Sequence, residues 1–151
     1  PDKDSQVLDL FCGLGNFSLA LARRAGRVLG VEGDPALVKK AEENAAANEV
    51  ANAEFKARDL LSDAVSDWDP GTFSHVLVDP PRSGAIDALK TICTKVAPNA
   101  LAYVSCNPAT LARDAAYLTG PAGYQLTRLA IADMFPHTTH VECAALFVRS
   151  A

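Results

Sequence analysis

Residues Val7 to Asn16 read V-L-D-L-F-C-G-L-G-N. This short apolar run ends in two glycines one residue apart, Gly13 and Gly15, and an apolar helical pattern, Phe17-Ser18-Leu19-Ala20-Leu21-Ala22, begins at once. The order predicts a buried strand, a tight turn and a helix N-terminus, the unit that turns backbone N–H groups toward a ligand in α/β proteins. A dinucleotide fingerprint would place a third glycine at position 18, where this chain has Ser18. Two acids accompany the turn instead: Asp9, four residues before Gly13, and Glu32, at the end of the next apolar run.

Outward from this stretch, strands alternate with helical patterns. Strands are expected over Val7–Phe11, Val28–Glu32, Ala53–Ala57, His75–Val78 and Leu101–Cys106, with helices over roughly Asn16–Ala25, Pro35–Ala47, Ile86–Val96 and Pro108–Leu118. Asp34-Pro35 and Asn107-Pro108 each combine an N-cap side chain with proline at the first helical position. From Gly123 onward the alternation stops: Tyr124–Ala132 and Val141–Arg149 read as two strands with no helix between them. Five β–α units and a closing hairpin describe a mostly parallel, doubly wound Rossmann-like α/β sheet whose last strand inserts antiparallel. That is the layout of S-adenosylmethionine (SAM)-dependent methyltransferases. Acids around a glycine turn suit SAM, which carries a sulfonium cation and no pyrophosphate.

The totals fit one ordinary domain. The chain has 151 residues, 49% hydrophobic and 21% charged, enough to bury a core without disulfides. Its net charge of −4 argues against a domain that grips nucleic acid alone. Cys12, Cys93, Cys106 and Cys143 form no C-x-x-C pair, so no metal site built within this chain is expected. Scattered cysteines and the lack of a long apolar run or charged leader fit a reduced, cytoplasmic protein with no membrane partner. The abrupt start, Pro1-Asp2-Lys3-Asp4 directly before the first strand, reads as a piece of a longer protein.

Ligands of open α/β sheets lie beyond the carboxyl ends of the strands, so those residues are the candidates. Glu32 is placed to accept hydrogen bonds from ribose hydroxyls. Asp59 is placed either to meet an adenine amino group or to cap the short helix after it. Phe11 and Asn16 flank the glycines, although Phe11 also suits the core. Asp79-Pro80-Pro81-Arg82 leaves the fourth strand in an extended exit that lacks two backbone donors. Amino-directed DNA methyltransferases place an aromatic residue where this chain has Arg82, which points away from that class.

Cys106 stands between the fifth strand and the helix opened by Asn107-Pro108, where a helix N-terminus favours a thiolate. Read as a nucleophile rather than a structural cysteine, it implies a particular substrate. Amines and hydroxyls attack a SAM methyl directly, whereas carbon 5 of a pyrimidine needs a thiolate added at carbon 6 and a base to remove the carbon 5 proton. Glu142, early in the last strand, is the base candidate. His137 and His140 precede it without the spacing of a metal site.

The segments D-L-F-C-G-L-G-N-F, L-G-V-E-G, D-P-P-R-S-G, Y-V-S-C-N-P-A-T-L-A-R-D and D-M-F-P-H-T-T-H-V-E, in this order, resemble the catalytic domain of RNA uracil-5-methyltransferases, in particular the branch acting on 23S ribosomal RNA. The resemblance covers nearly the whole chain. It implies Cys106 as nucleophile and Glu142 as base, and SAM contacts at Phe11, Asn16, Glu32, Asp59 and Asp79 with the Gly13–Gly15 turn. Pro81 and Cys143 depart from the expected pattern without removing a catalytic group. It also implies that residues 1–151 are the C-terminal catalytic domain of a longer protein, with an RNA-binding barrel and a central domain upstream. Ribosomal RNA would then be gripped mainly outside this chain. Competing readings are methylation of a nitrogen or small molecule with Cys106 merely structural, and a SAM-binding module without activity.

Overall fold

A computed structural model describes residues 1–133 and 141–150. In chain order the elements are β1 (Gln6–Leu10), α1 (Asn16–Ala22), β2 (Arg27–Glu32), α2 (Pro35–Ala47), β3 (Ala53–Ala57), a 3₁₀ turn (Asp63–Asp67), β4 (His75–Val78), α3 (Ile86–Lys95), β5 (Ala100–Ser105), α4 (Pro108–Thr119), β6 (Tyr124–Ala132) and β7 (Glu142–Arg149). They form one seven-stranded sheet in the order β3-β2-β1-β4-β5-β7-β6. The first five strands in chain order pair parallel, whereas β7 runs antiparallel between β5 and β6. The doubly wound sheet with an antiparallel insertion is therefore as the sequence predicts.

β1 is central, paired to β2 on one side and β4 on the other. Covered on both faces, it needs apolar residues in succession, and Val7, Leu8 and Leu10 are all at most 2% exposed. Leu8 and Leu10 join Val76, Val78, Leu101, Tyr103 and Phe147 in the main core, closed by Leu89 and Ile92 of α3 and by Leu111 and Leu118 of α4. Val7 belongs to a separate cluster with Val28 and with Ala22 of α1. Each fully buried leucine contributes roughly 1.5–3 kcal/mol.

Boundaries shift where side chains intercept the backbone. α1 stops at Ala22, short of the expected Ala25, because Asn52 Nδ2 donates to the carbonyls of Ala22 (2.9 Å) and Ala25 (3.0 Å). β5 stops at Ser105, so Cys106 lies just past the strand rather than ending it. The expected strand Val141–Arg149 begins one residue later, at Glu142. His137 and His140 lie outside the described residues.

The chain turns to one side of β1 through β2 and β3 and to the other through β4 and β5. This reversal opens a crevice at the carboxyl ends of β1 and β4, the place where such sheets bind ligands.

Candidate active site

A cleft of about 360 Å³ occupies that crevice, lined by Phe11, Glu32, Gly33, Asp59, Leu60, Leu61, Asp79, Pro80 and Pro81. Three carboxylates face one cavity whose remaining walls are mostly apolar. The chemistry fits a ligand with hydroxyl and amino donors, a flat apolar body and a positive charge.

Glu32, at the end of β2, ties the glycine turn in place. Its Oε2 accepts from Gly13 N (3.0 Å), and its Oε1 accepts from Gly33 N (2.8 Å) and Asp34 N (3.2 Å). A carboxylate has about four lone-pair positions, so acceptor capacity remains for ligand hydroxyls. Gly15 starts α1 with φ +83°, and a Cβ there would meet the Phe55 ring at 3.1 Å. Gly15 thus serves both the left-handed turn and the close packing of α1 on β3. Asn16 is exposed as the first residue of α1; neither it nor Gly15 is among the residues lining the cleft. Phe11 turns out of β1 with φ +61°, a left-handed conformation costing roughly 1–2 kcal/mol for a residue with a Cβ. It packs against the main core, as one of its sequence readings has it, and also lines the cleft.

Asp59 is exposed in the cleft wall, and its Oδ1 accepts from Leu61 N (2.9 Å) in a local turn. The next element, the 3₁₀ turn, has Ser62, not Asp59, at its N-cap position. Asp79 leaves β4 with its N–H donated to Leu10 O (3.3 Å). Burial, and then the negative charge of Glu142, raise its carboxyl above the usual range. Those two acids therefore share one electrostatic environment although 63 positions separate them in the sequence, from 79 to 142.

Strand register brings Glu142 toward the thiol. Ser105 of β5 pairs with Cys143 of β7, so Cys106, one residue on, and Glu142, one residue back, leave the sheet at the same end on neighbouring strands. Both side chains are half-buried. The turn holding Cys106 is fixed from both sides: Ser105 Oγ accepts from Asn107 N (3.0 Å) and donates to Asn107 O (3.0 Å). Asn107 caps α4 by accepting from Ala109 N (3.1 Å), while its Nδ2 donates to Arg82 O (2.9 Å). The turn that carries Cys106 is thereby fastened to the loop after β4. Cys12 and Cys143 are buried and Cys93 packs against the core, in keeping with structural roles.

One part of the site was not singled out from the sequence, and one acid that was, Asp9, has a different place from the cleft acids. Leu60 and Leu61, directly after Asp59, supply apolar wall. Asp9 is fully buried below the turn, accepting from Ser18 Oγ (2.5 Å) through Oδ2, while Oδ1 has no partner among the described residues. Ser18, conspicuous as the missing third glycine, is the residue that answers Asp9.

Residues 1–150 match the family model described as tRNA (Uracil-5-)-methyltransferase. The 23S rRNA (uracil(1939)-C(5))-methyltransferase RlmD of Alkalilimnicola ehrlichii is 54% identical over 97% of this chain, and that of Acidithiobacillus ferrooxidans 52% over 99%. The chain spans about a third of the length of these curated relatives (33% and 34%). Among solved structures, Pyrococcus abyssi tRNA (uracil-54, C5)-methyltransferase, in complex with S-adenosyl-L-homocysteine, aligns with a TM-score of 0.82 and 34% identity over 97% of this chain and 35% of its own. An rRNA methylase from Streptococcus thermophilus, 14% identical with a TM-score of 0.75 over 99% of this chain and 89% of its own, shares the fold alone. The sheet order is that of the class I SAM-methyltransferase, Rossmann-like fold. With the family model spanning essentially all of it, the chain belongs to the tRNA (uracil-5-)-methyltransferase family.

Proposed function

We propose that this chain is the catalytic part of a cytoplasmic enzyme that methylates carbon 5 of a uridine in 23S ribosomal RNA, using SAM. The observation that carries the reading is the register placing Cys106 and Glu142 at one end of adjacent strands, with Glu142 close enough to Asp79 for its charge to be felt.

The cleft residues fit SAM. Glu32 would hold ribose hydroxyls, Asp59 would accept from the adenine amino group, and Phe11, Leu60 and Leu61 would supply apolar wall for the base. Asp79 balances the positive charge; a cation there offsets the cost of its burial. Bound SAM supplies an electrophilic methyl group. Cys106 thiolate adds to carbon 6 of uracil, and the carbon 5=carbon 6 electron pair moves to carbon 5 as an enolate. Carbon 5 then takes the methyl, leaving S-adenosylhomocysteine. Glu142 removes the carbon 5 proton, the double bond re-forms and the thiolate leaves carbon 6. One thiolate and one base thus complete the cycle. With a net charge of −4, RNA affinity rests largely on parts of the protein beyond these residues.

The test is methyl transfer from methyl-labelled SAM to unmodified 23S RNA, with the protein at the length of its relatives. Label in 5-methyluridine that is absent with Cys106→Ala supports the proposal. Label on a nucleobase nitrogen, or undiminished transfer by Cys106→Ala, replaces it with direct N-methylation. SAM binding without transfer leaves a binding module.

A further inference from the structure

Asp114 sits in the middle of α4 and is completely buried, a costly place for a carboxylate unless every oxygen is answered. Its Oδ2 accepts from Ala85 N (2.9 Å) and from Tyr103 O–H (2.7 Å). Its Oδ1 accepts from Arg113 Nε (2.8 Å) and lies 2.7 Å from Nη2 in an ion pair, while Nη2 donates its hydrogen bond to Ser83 O (2.9 Å). Three donors thus converge on one carboxylate, and the backbone is held at Ala85 by Asp114 itself and at Ser83 through its ion-pair partner Arg113. Gly84, between them, has φ +78°, and a Cβ there would lie 2.5 Å from Arg113 Nη2 and 2.6 Å from Asp114 Oδ2. Only glycine lets the loop approach this closely.

The loop so held, from Asp79 to Ala85, faces the cleft at one end. In its middle, Arg82 O accepts from Asn107 Nδ2 (2.9 Å) and Thr110 Oγ1 (3.1 Å), both just beyond Cys106 in the chain. We propose that Asp114 is a positioning residue: by pinning Ser83–Ala85 to α4 it fixes the Asp79–Arg82 loop against the turn that carries Cys106. This sets the thiolate, the cleft acid and the target carbon in one geometry. The inference rests on the proposed uracil chemistry for its kinetic consequence, but its structural half stands apart from it. Asp114 touches neither substrate nor cofactor. Misplacement by about 1 Å can cost on the order of 100-fold in rate.

The test compares Asp114→Asn, Arg113→Lys and Tyr103→Phe in the protein at the length of its relatives. Asparagine cannot accept from both Ala85 and Arg113 with both side-chain atoms; lysine keeps the charge but loses the fork to Ser83. Phenylalanine removes only the Tyr103 hydroxyl. The expected result is a kcat lower by about 100-fold for Asp114→Asn and about 10-fold for Arg113→Lys, with KM for SAM within about 3-fold. Tyr103→Phe, which loses core stability but not the loop link, stays within about 3-fold in kcat. Hydrogen exchange at the Ala85 amide reads the clamp without any reaction and should accelerate in Asp114→Asn while amides of β1 stay protected. Equal kcat losses in Asp114→Asn and Tyr103→Phe, or an Ala85 amide still protected in Asp114→Asn, overturns the proposal. Should Asp114→Asn fail to fold, Arg113→Lys decides: an unchanged kcat overturns it. Absence of uridine methylation by the unmodified protein would instead count against the functional reading, with the exchange result still deciding the clamp.

Discussion

The buried Asp9 makes stability depend on pH in a direction opposite to that of an ion-paired acid. It is fully buried in β1 between Gly30 of β2 and Leu77 of β4, with one oxygen unpartnered among the described residues. Burial dominates and pushes its carboxyl from 3.8 up to about 7, against the Ser18 hydrogen bond and with a smaller contribution from Asp79. Between about pH 4 and 7 the folded protein holds a proton there that the unfolded chain has released, so stability falls as pH rises through this window. About three pH units at 1.36 kcal/mol each set a ceiling of about 4 kcal/mol. Asp9→Asn imitates the protonated acid and removes the titration. Urea unfolding of both proteins from pH 5 to 8 should show them closest at pH 5, with the variant gaining by about 2–3 kcal/mol toward pH 8, the part of the ceiling that lies above pH 5. A difference between the two that stays constant across the range would refute the reasoning, because then the folded carboxyl is not held protonated.

Other perturbations address the cleft and the chemistry. Glu32→Gln keeps the side-chain size but loses a charged acceptor for ribose hydroxyls, so calorimetric affinity for S-adenosylhomocysteine should fall roughly 10- to 100-fold, as for a charge-assisted hydrogen bond of about 1.5–3 kcal/mol. Gly84→Ala drives a Cβ against Arg113 and Asp114 at a positive φ, and should lower stability by more than about 2 kcal/mol, read as a drop in thermal midpoint. Glu142→Gln removes the proposed base and keeps the proposed nucleophile, so a methylated protein–RNA adduct through Cys106 should accumulate on ordinary uridine and survive denaturing gels. Turnover without such an adduct would show that another group takes the proton.

Much of this was legible because the sheet is buried on both faces and spelled out in short apolar runs. Ala53–Ala57 and Tyr124–Ala132 match the expected strands residue for residue, and Asp34 and Asn107 cap the helices that their positions before proline predict. Chain order alone withholds neighbourhood. Cys106 and Glu142 can be named separately from it, but their meeting depends on β7 entering between β5 and β6, a fact of sheet order. Asp114, beside Arg113, was not singled out from the sequence. Yet Leu111, Asp114 and Leu118 are the buried residues of α4, spaced three and four apart, so the helical period does put the acid on the inner face. Asp9 needs the same step: its place in a central strand makes its burial certain once β1 is known to have partners on both sides.

Trapping with fluorinated substrate bears most directly on the central claim. RNA carrying 5-fluorouridine is mixed with SAM and the protein at the length of its relatives. After thiolate addition and methyl transfer, carbon 5 bears fluorine where a proton should leave, so the adduct cannot resolve. The account predicts a denaturant-stable protein–RNA complex, mapped by mass spectrometry to Cys106 and lost in Cys106→Ala. Methylation of the natural substrate with no adduct on the fluorinated one would contradict it.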